Sequence, residues 1–439
     1  MADSDTIFAL ATPPGRSALA VFRISGKDAG LVLERLTGGA CPSPRLASLR
    51  FVYDPSSSEK IDQALVTFFA GPASYTGEDL VELSVHGGRG VVVALSAALG
   101  RMRNVRMAEP GEFTRRAFAN GKFDLAQAEA IADLIDSETE FQRRQALRLL
   151  DGGLGLKAEG WSRRILAMAA ELESALDFSD EGDVGAVNTA QLIQAAELLS
   201  SEMNGEVERG TRSLSLRNGF AVVIAGSPNA GKSTLFNLLA GSDLAIVTEF
   251  AGTTRDLLRV ELDFDGVPVT LVDSAGIRDV DDPVEKIGIG RARSAMATAD
   301  LIVSLESGDA PRLSVGDAGP AVLNVWSKSD LYGTGQASEL SISATDSDSI
   351  SRLVARIREL AMTAVGDGSE GLVTRERHRM ALGEAGLALK RFVAVCGDGR
   401  LELAAEECRY ANVCLGGISG AFATEDILGE IFSRFCIGK

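Results

Sequence analysis

Hydrophobic and polar positions follow three different patterns along this chain. Up to about residue 121, short apolar runs such as "TIFALA", "ALAVFRI" and "QALVTFFA" alternate with Pro- and Gly-containing turns such as "TPPGRS". Short apolar runs bounded by turn residues predict β-strands joined by loops. Residues 1–121 are therefore predicted to form an α+β domain.

A helical periodicity starts at about residue 122 and continues to about 212. In "FDLAQAEAIADLIDS" the apolar residues recur at the spacing of one helical face, and Asp124 with Gln127 three positions later matches a capping box. The residues on the apolar stripe are Leu125, Ala128, Ile131, Ala132 and Ile135. This segment is predicted to be the first half of a helical domain.

From residue 213 strands and helices alternate, and from 372 the pattern is helical again. "GFAVVIAG" is an apolar run typical of a buried parallel strand, and the alternating residues on both sides of Asp265-Gly266 predict a β-hairpin. "LIVSL" and "AVLNVW" add further strands, which indicates an α/β sheet. We therefore predict a multidomain protein: an α/β domain, residues 213–371, is inserted into a helical domain formed by residues 122–212 and 372–439.

Composition and charge fit a globular protein of a reducing compartment. The 439 residues are 45% hydrophobic and 24% charged. No apolar run approaches the ~18 residues that a membrane span needs, and the acidic start "MADSD" does not resemble a signal peptide, so a cytoplasmic protein without membrane attachment is expected. Five cysteines without CxxC spacing and two histidines argue against a disulfide framework and a Cys/His zinc site. If nucleic acid is the substrate, the net charge of −17 predicts that something else helps to present it.

"GSPNAGKST", from Gly226 to Thr234, follows a predicted strand and precedes a predicted helix. It matches the phosphate-binding loop G-x-x-x-x-G-K-[ST] in the strand–loop–helix context that this motif requires. Backbone N–H groups of the loop would surround the β-phosphate, Lys232 would reach the β- and γ-phosphates, and Ser233 would be a Mg²⁺ ligand. The segment predicts a nucleoside triphosphate site.

Four further motifs follow in the order typical of GTPases. "GTTRD" places Thr254 to contact Mg²⁺ and the γ-phosphate, while "VDSAG" supplies Asp273 for Mg²⁺ and Gly276 to sense the γ-phosphate. "SKSD" supplies Asp330 to accept the guanine N–H donors, and "SISA" supplies the Ala344 N–H. Together the motifs predict a P-loop NTPase domain of the Ras-like G type that uses GTP and Mg²⁺.

One position in the base-reading motif departs from the usual GTPase pattern. Ser327 stands where GTPases usually have asparagine, and the serine side chain has a shorter reach. Guanine preference is expected to survive through Asp330, while the affinity for nucleotide is expected to fall.

The segments "PNAGKST", "AIVTEFAGTTRD", "DSAGIR", "VEKIGIGRA" and "FCIGK" together resemble the MnmE (TrmE) family of bacterial tRNA-modification GTPases. "ATPPGR", "RISG", "YTGED", "PGEFTRRAF" and "DLAQAEAIADLI" are similar to the same family, so the resemblance covers essentially the whole chain. It implies an N-terminal folate-binding domain that forms a homodimer, and a potassium-activated G domain inserted into a helical domain.

The resemblance also implies a reaction and its participants. With a flavoprotein partner, MnmG, which would carry FAD, the family modifies C5 of the wobble uridine of certain tRNAs. A one-carbon unit from methylene-tetrahydrofolate joins glycine or ammonium to the base, which gives a carboxymethylaminomethyl or aminomethyl group. The cofactors implied for this chain are GTP or GDP, Mg²⁺, K⁺ and a 5,10-methylene- or 5-formyl-tetrahydrofolate.

In this family K⁺ takes the place of an arginine finger in offsetting phosphoryl charge. Glu285 resembles the family's water-orienting glutamate, and Lys232 and Gly276 are also assigned to catalysis; Arg255 is interpreted as a switch-loop ion-pair residue. The implied K⁺ ligands are Asn229, Thr248, the Phe250 carbonyl and Thr253. The residues expected to contact the nucleotide are Asn229, Ala230, Gly231, Lys232, Ser233, Thr234, Thr248, Thr253, Thr254, Asp273, Gly276, Ser327, Lys328, Asp330, Ser343 and Ala344.

A folate site and the tail "FCIGK" are linked by the resemblance. The residues that it assigns to folate are Arg23, Glu82, Lys122 and Lys439. The tail is expected to be functional and unlipidated, because Gly438 and Lys439 break the pattern of a lipid-attachment box. Cys436 is expected beside the folate site with its catalytic role open. His86 in "VHGG" is interpreted as a structural residue, with a general base as the alternative.

Two other functions stay open on the sequence. One is a regulatory GTPase switch in ribosome assembly, similar to the Era and Der families, which the acidic charge disfavours. The other is a folate-dependent one-carbon transferase with a vestigial G domain, which the intact Lys232, Ser233 and Asp273 oppose. K⁺ stimulation of GTP hydrolysis, together with binding of 5-formyltetrahydrofolate, would distinguish the three functions.

Overall fold

The computed structural model describes residues 5–177, 188–246, 259–273, 295–310, 320–335, 338–366, 371–422 and 424–439, without the side chain of Thr211. The chain divides into two compact units. Unit 1 comprises Met1–Ala132 with Gly416–Lys439, and unit 2 comprises Asp133–Leu415. All five cysteines lie in described segments and none forms a disulfide. Within the described part of the chain, no helix is long and apolar enough to cross a bilayer.

Unit 1 contains a six-stranded sheet with the order β3–β4–β5–β2–β1–β6, antiparallel except for the parallel pair β1–β6. Alternating strand residues such as Phe22 and Ile24 pack with Leu33 and Leu95 of the covering helices in a fully buried core. This confirms the predicted α+β fold of the N-terminal segment. Its elements are β1 (Thr6–Leu10), β2 (Leu19–Ser25), α1 (Ala29–Thr37), β3 (Ser48–Tyr53), β4 (Lys60–Phe69), β5 (Leu80–His86), α2 (Arg89–Gly100), β6 (Val105–Met107), α3 (Glu112–Ala119) and α4 (Leu125–Ile135), which begins in this unit.

The outer face of this sheet carries exposed apolar side chains near its β3 edge. Leu49 on β3 and Leu65 on β4 are register partners, and they are 64% and 47% exposed. Phe51, two residues further along β3, is also exposed. Neighbouring large apolar side chains on a surface favour contact with another protein surface.

The "PGEFTRRAF" segment fixes helix α3 through a buried charge network. The Glu112 carboxylate, 1% exposed as a residue, accepts hydrogen bonds from Arg106 Nη2 (2.7 Å), Arg116 Nη2 (2.9 Å) and the Glu109 N–H (2.9 Å). Arg116 Nη1 also donates to Glu78 Oε2 at 3.2 Å. Burial raises the pKa of Glu112, but the donors from Arg106, Glu109 and Arg116 outweigh burial and bring it to about 2. The segment is therefore a structural anchor of unit 1.

Helix α4 is the amphipathic helix predicted from the sequence, and its capping box is present. The Gln127 N–H donates to Asp124 Oδ1 (2.7 Å), and the Asp124 N–H donates to Gln127 Oε1 (3.0 Å). Leu125 and Ala128 are completely buried. Ile135 was predicted on the same stripe but is 46% exposed, because the helix ends at this residue and its last turn is not covered as the first turns are.

Unit 2 combines long helices with a second six-stranded sheet. Helices α7 and α11 pack along each other, with Ser200 Oγ donating to the Gly386 carbonyl at 3.2 Å, and the helices predicted after residue 372 are confirmed. The elements in chain order are α5 (Glu140–Leu150), α6 (Gly153–Asp177), α7 (Thr189–Asn218), β7 (Phe220–Gly226), α8 (Lys232–Ala240), β8 (Arg259–Phe264), β9 (Val267–Asp273), β10 (Leu301–Glu306), β11 (Ala321–Trp326), α9 (Ser329–Tyr332), β12 (Leu340–Ser341), α10 (Ser347–Val365), α11 (Glu376–Gly397) and α12 (Leu401–Ser419).

The sheet of unit 2 has the order β12–β11–β10–β7–β9–β8. All its neighbouring strands run parallel except β8 and β9, which form an antiparallel hairpin. The turn residues Asp265 and Gly266 have φ values of 55° and 95°, so the predicted hairpin and the predicted α/β sheet are both confirmed. The parallel strands share one carboxyl edge, where loops of this fold class bind ligands.

The segments that lead into and out of the region of this sheet each contribute an arginine that contacts the same carboxylate. Arg217 lies in the last turn of α7 and Arg375 directly precedes α11. Arg217 Nε and Arg375 Nη2 lie 2.8 Å and 2.7 Å from the same oxygen, Oδ1 of Asp133. Asp133 is mostly buried, so this three-residue cluster, the Asp133 clamp, fastens both sides of the insertion.

The end of the chain packs on the beginning of α4 within unit 1. Helix α13 (Glu425–Ser433) contributes Phe432, which joins Phe435, Leu125 and Ala128 in one buried cluster. The tail after α13 continues to β1, because the chain at residue 438 passes close to the backbone of residues 10 and 11. The tail is thereby held against the sheet of unit 1.

Candidate functional site

The loop between β7 and α8 has the backbone of a phosphate-binding loop. β7 is an apolar, almost completely buried strand, and the loop after it turns with Asn229 at φ 66° and Gly231 at φ 93°. Only glycine fits at 226, because a Cβ there would lie 2.6 Å from the Leu305 carbonyl oxygen. The loop leads into the N-terminus of α8, whose free N–H groups favour an anion.

Lys232 lies across this loop. Its Nζ donates to the carbonyl oxygens of Gly226 (2.8 Å) and Ser227 (3.0 Å). Burial lowers the pKa of Lys232, and the nearby Asp273 carboxylate opposes this shift. The loop carbonyls therefore hold the ammonium beside the phosphate-binding loop. When a phosphate binds, the ammonium can donate to phosphate oxygens instead of these carbonyls.

Ser233 and Asp273 form the second part of the site. Ser233 lies in the first turn of α8, and its Oγ donates to Asp273 Oδ2 at 3.3 Å. Asp273 ends β9 beside β7 and is 2% exposed. A hydroxyl and a carboxylate are the hard oxygen ligands that Mg²⁺ prefers. Among the described residues there is no cluster of three or more His, Cys, Asp or Glu that suits a metal ion, so these two would bind Mg²⁺ only with other ligands.

A cavity of about 190 Å³ lies beside the loop, between α8 and the loops after β11 and β12. Asp330 in α9 lines it, and Asp330 Oδ1 accepts a hydrogen bond from Ser343 Oγ at 2.7 Å. The Ser343 N–H donates to Ser349 Oγ of α10, which fixes the loop that presents Ala344. Further lining residues are Gly231, Thr234, Leu238, Lys328, Leu331 and Ile350. Apolar walls with one carboxylate and a backbone N–H suit a flat base carrying N–H donors.

Ser327 connects this cavity to the phosphate-binding loop. Its buried hydroxyl lies 2.6 Å from the Ala230 carbonyl and 3.2 Å from the Glu306 carbonyl. A hydroxyl has one proton, so it can donate to only one of these two oxygens at a time. The serine side chain keeps the contact with the loop, while the Glu306 carbonyl also accepts the Ser327 backbone N–H at 2.8 Å.

Several predicted site residues lie outside the described residues. They are the switch-loop residues and their neighbours Thr248, Phe250, Thr253, Thr254, Arg255, Gly276 and Glu285. The predicted site residues that the structure does describe all lie at or next to the carboxyl edge of one sheet. They are Asn229 to Thr234, Asp273, Ser327, Lys328, Asp330, Ser343 and Ala344. Their roles stay predictions, but the structure brings them together.

A second cationic site lies on the sheet of unit 1. Arg23 on β2 and Glu82 on β5 are register partners joined by a 2.9 Å ion pair, and Arg23 Nη1 donates to the Gly438 carbonyl at 3.3 Å. The Arg23 guanidinium lies 5.6 Å from the ring centroid of Tyr75. Burial and the Arg23 charge lower the pKa of Lys439, which Cys436 and Glu82 oppose. The Lys439 ammonium thus lies within electrostatic range of the Arg23–Glu82 pair.

Lys122 occupies a different position from the other three residues assigned to folate. Its Nζ donates to the Pro72 carbonyl at 2.9 Å, so it fixes the loop that carries Tyr75. Cys436 is exposed near Lys439, and its carbonyl accepts the Lys439 N–H at 3.3 Å. His86 is held by Asp62, with 2.8 Å between Nδ1 and Oδ1, at the end of β5.

Sequence reasoning missed two contributors. Tyr75 lies in the quoted "YTGED" segment, but nothing in the sequence shows that its ring meets Arg23, which is 52 residues away. Asp309, which contacts Lys328 at 2.7 Å, comes from the loop after β10. Parallel strands place their following loops side by side, and this rule was the available signal for Asp309.

A phosphate-binding loop, a Ser–Asp pair and a base cavity at the carboxyl edge of a mainly parallel sheet define a P-loop G domain, the class of GTP-binding hydrolases. Two family profiles match this chain: "MnmE helical domain" over residues 125–436 and "GTP-binding protein TrmE N-terminus" over residues 6–122. The chain belongs to the MnmE family of tRNA modification GTPases.

Curated relatives are similar over the full length. The chain is 46% identical over 436 residues to the tRNA modification GTPase MnmE of Beijerinckia indica subsp. indica, covering 99% of this chain and 96% of the relative. It is also 46% identical over 447 residues to that of Methylobacterium radiotolerans, covering all of both chains. A solved structure of Era with MgGDPNP and 16S ribosomal RNA matches 32% of this chain and 56% of its own, at 23% identity and a TM-score of 0.26.

Proposed function

We propose that this chain hydrolyses GTP with Mg²⁺ and K⁺ and couples hydrolysis to modification of C5 of the wobble uridine of tRNA. The observation that carries the proposal is the convergence of Lys232, the Ser233–Asp273 pair and the Asp330 cavity at one sheet edge. Full-length similarity to tRNA modification GTPases supports the substrate class. The alternative, a ribosome-assembly switch, is an outcome of the tests below.

The residues of the loop fit the proposed metal ions. Ser233, Asp273 and Thr254 would hold Mg²⁺. Asn229 stands exposed at the crest of the loop and offers a carbonyl oxygen for K⁺, with Thr248, Phe250 and Thr253 as further ligands. When bound, K⁺ offsets charge on the phosphoryl group, as an arginine finger does elsewhere. Glu285 would orient the attacking water, with Lys232 and Gly276 placed at the phosphates.

The proposal is tested by GTP hydrolysis in K⁺ and in Na⁺ at equal ionic strength. We expect turnover in K⁺ to be at least several-fold higher, because Na⁺ is too small for ligands spaced for K⁺. Equal turnover in a protein that binds GTP contradicts the K⁺ mechanism. Loss of the wobble modification from tRNA of cells that lack this chain tests the coupling, and intact modification contradicts it.

We propose that unit 1 binds a tetrahydrofolate derivative at the Arg23–Glu82–Lys439 site. The Arg23 guanidinium and the partly buried Lys439 ammonium offer charge-assisted donors, which supports an anionic ligand. The Tyr75 ring beside Arg23 offers a flat apolar surface. Glu82 would read the ring edge, and Lys122 would support the neighbouring loop. Cys436 lies near enough to be tested as a participant, and its catalytic role stays open.

Lys439→Met tests the folate site. We expect 5-formyltetrahydrofolate to bind roughly 10-fold more weakly, because one charge-assisted contact is lost. The measurement is titration of the ligand-induced shift in melting temperature. Lys27→Met, at an exposed position after β2 in the same unit, is the matched control and should bind like the parent protein. Unchanged binding by Lys439→Met contradicts the assignment.

The proposed assembly is a homodimer through the N-terminal domains, working in the cytoplasm with the flavoprotein MnmG and tRNA. The exposed Leu49, Phe51 and Leu65 on the outer sheet face support a protein contact there. The net charge of −17 opposes binding of the tRNA polyanion by this chain alone, so the proposal assigns part of the tRNA contact to the partner. The proposed domains are residues 1–121, 122–212 with 372–439, and 213–371.

Ser327→Asn tests the base site. An asparagine amide carries two N–H donors and can satisfy both the Ala230 and the Glu306 carbonyl. One added hydrogen bond predicts GDP affinity roughly 2- to 10-fold higher. Displacement of a fluorescent GDP analogue measures this affinity, with Ser242→Asn on the same domain as a control.

In the parent protein, ATP should not displace the fluorescent GDP analogue at concentrations at which GTP does. Equal displacement by ATP and GTP contradicts recognition of guanine by Asp330.

A further inference from the structure

The loop that follows β10 closes on itself next to the base cavity. The Ser307 N–H donates to the Ala310 carbonyl (2.9 Å), and the Ala310 N–H donates to the Ser307 carbonyl (3.1 Å). Both residues are buried, at 5% and 2% exposure. We name residues 307–310 the β10 turn. Two reciprocal backbone bonds make it a rigid element rather than an open surface loop.

The β10 turn presents its one carboxylate to the base-reading segment. Asp309 Oδ1 accepts from Ser307 Oγ at 2.6 Å, and Asp309 Oδ2 accepts from Lys328 Nζ at 2.7 Å. These hydrogen bonds, from Lys328 first and Ser307 second, bring the pKa of Asp309 to about 2. Asp309 is therefore ionised at all working pH values, and the contact with the Lys328 ammonium is charge-assisted.

Lys328 needs this support because its backbone is unusual. It has φ 54° and ψ 41°, the left-handed region that non-glycine residues seldom adopt. From this conformation its carbonyl accepts the N–H groups of Leu331 and Tyr332, each at 3.0 Å, which starts α9. Asp330, the residue that lines the base cavity, lies inside this short helix. The direction of Lys328 thus sets the direction of Asp330.

The turn contacts the other end of α9 as well. Gly308 packs on the Tyr332 ring so closely that a Cβ on Gly308 would lie 2.5 Å from the ring Cδ1. The β10 turn therefore contacts the residue before α9 through Asp309 and the last residue of α9 through Gly308. Asp330 lies between these two contacts.

We propose that Asp309 is a positioning residue for base recognition: through Lys328 it holds α9 so that Asp330 faces the cavity. The proposal rests on the proposed GTPase function and names one further determinant of its nucleotide specificity. Asp309 also keeps the Lys328 ammonium occupied, so that this cation does not neutralise the carboxylate that reads the base two residues later.

The test compares affinities for GDP and for inosine diphosphate, which lacks the 2-amino group of guanine. For Asp309→Asn we expect GDP to bind roughly 3- to 10-fold more weakly, because a charge-assisted contact is lost. The preference for GDP over inosine diphosphate should fall as well. Asp309→Glu, which keeps the charge, should retain most of the GDP affinity and most of the preference for GDP over inosine diphosphate. The effect should shrink in high salt, because a partly exposed ion pair is screened.

The matched control is Asp265→Asn at the β8–β9 hairpin of the same sheet. Asp265 pairs with Arg358 at 3.2 Å on the surface, and asparagine is well tolerated at its φ of 55°. It should leave both affinities unchanged. A parent protein that binds no guanine nucleotide overturns the proposed function itself. A parent protein that binds GDP, with Asp309→Asn retaining its affinity and its base preference, overturns only the role of Asp309.

Discussion

Replacing Glu112 by glutamine should lower the stability of unit 1 by about 3–5 kcal/mol, the usual cost of removing one partner from a buried ion pair. The amide cannot balance the charges of Arg106 and Arg116, and Arg116 is 7% exposed. The neighbouring side chains keep their positions, so the loss is electrostatic rather than a cavity effect. This is the largest stability change we expect from an isosteric substitution in the described chain.

The two tryptophans make this change measurable in the intact protein. Trp161 and Trp326 both belong to unit 2, so tryptophan fluorescence follows unit 2 while circular dichroism follows both units. In urea, Glu112→Gln should unfold unit 1 before the fluorescence transition, and the dichroism curve should show two steps. Coincident transitions at the parent midpoint would contradict the role given to Glu112.

The matched control is Glu140→Gln. Hydrogen bonds from Arg143 and Arg144 also bring the pKa of Glu140 to about 2, but this carboxylate is exposed on α5. Exposed ion pairs contribute little because water screens them, so this variant should unfold like the parent protein. Because both carboxylates have a pKa of about 2, a difference in stability between the two variants reports the effect of burial.

The Glu112 contribution also has a defined pH range. Its folded pKa of about 2 lies below the ordinary 4.5, so the stabilisation is fully present above pH 4.5 and is lost as the pH falls towards 2. The size of this shift corresponds to about 3 kcal/mol. The difference in stability between parent and Glu112→Gln should therefore shrink between pH 4.5 and pH 2, as repeated urea titrations would measure.

Replacing Asp273 by asparagine should lower GTP turnover on the order of 10²-fold, the usual cost of losing one electrostatic stabiliser in an active site. Asp273 is 2% exposed and lies 3.3 Å from the Ser233 hydroxyl. A neutral amide at this position loses the attraction for Mg²⁺ while keeping the shape of the side chain. Phosphate release at saturating GTP, measured across a Mg²⁺ titration, should show both lower turnover and a higher Mg²⁺ requirement.

Asp300→Asn is the control for this prediction. Asp300 Oδ2 accepts the Ala221 N–H at 2.8 Å, at the amino edge of the same sheet and therefore at the end opposite to the phosphate-binding loop. It should change stability slightly and leave turnover at saturating Mg²⁺ intact. If Asp273→Asn hydrolyses GTP as fast as the parent, Asp273 does not serve the metal. Chelation of Mg²⁺ should abolish turnover in every variant.

Local patterns predicted the elements whose partners are near in sequence or whose burial is strong. The capping box of Asp124 and Gln127, the hairpin at Asp265 and the buried strand β7 all follow from spacing and residue type. Ile135 shows the limit of the method, because periodicity places it on the buried stripe but does not show where the covering side chains end.

Long-range contacts explain what the sequence could not predict. Arg23 meets the Gly438 carbonyl 415 residues later, and only the resemblance to a family linked those positions. Lys122 has the charge expected of a folate ligand, but its ammonium donates to Pro72, because side-chain direction depends on a loop that periodicity does not describe. The Asp309–Lys328 pair depends on the order of strands in the sheet, which no single segment encodes.

The Asp133 clamp has a consequence for how this protein can be rebuilt. Since Arg217 and Arg375 meet the same carboxylate oxygen, the chain leaves its helical host and returns to it at nearly the same place. The closure entropy of a module attached in this way grows only with the logarithm of its length. The 157 residues between the two arginines can thus be excised, permuted or exchanged for another domain with closely spaced termini, and the clamp marks where the cuts belong.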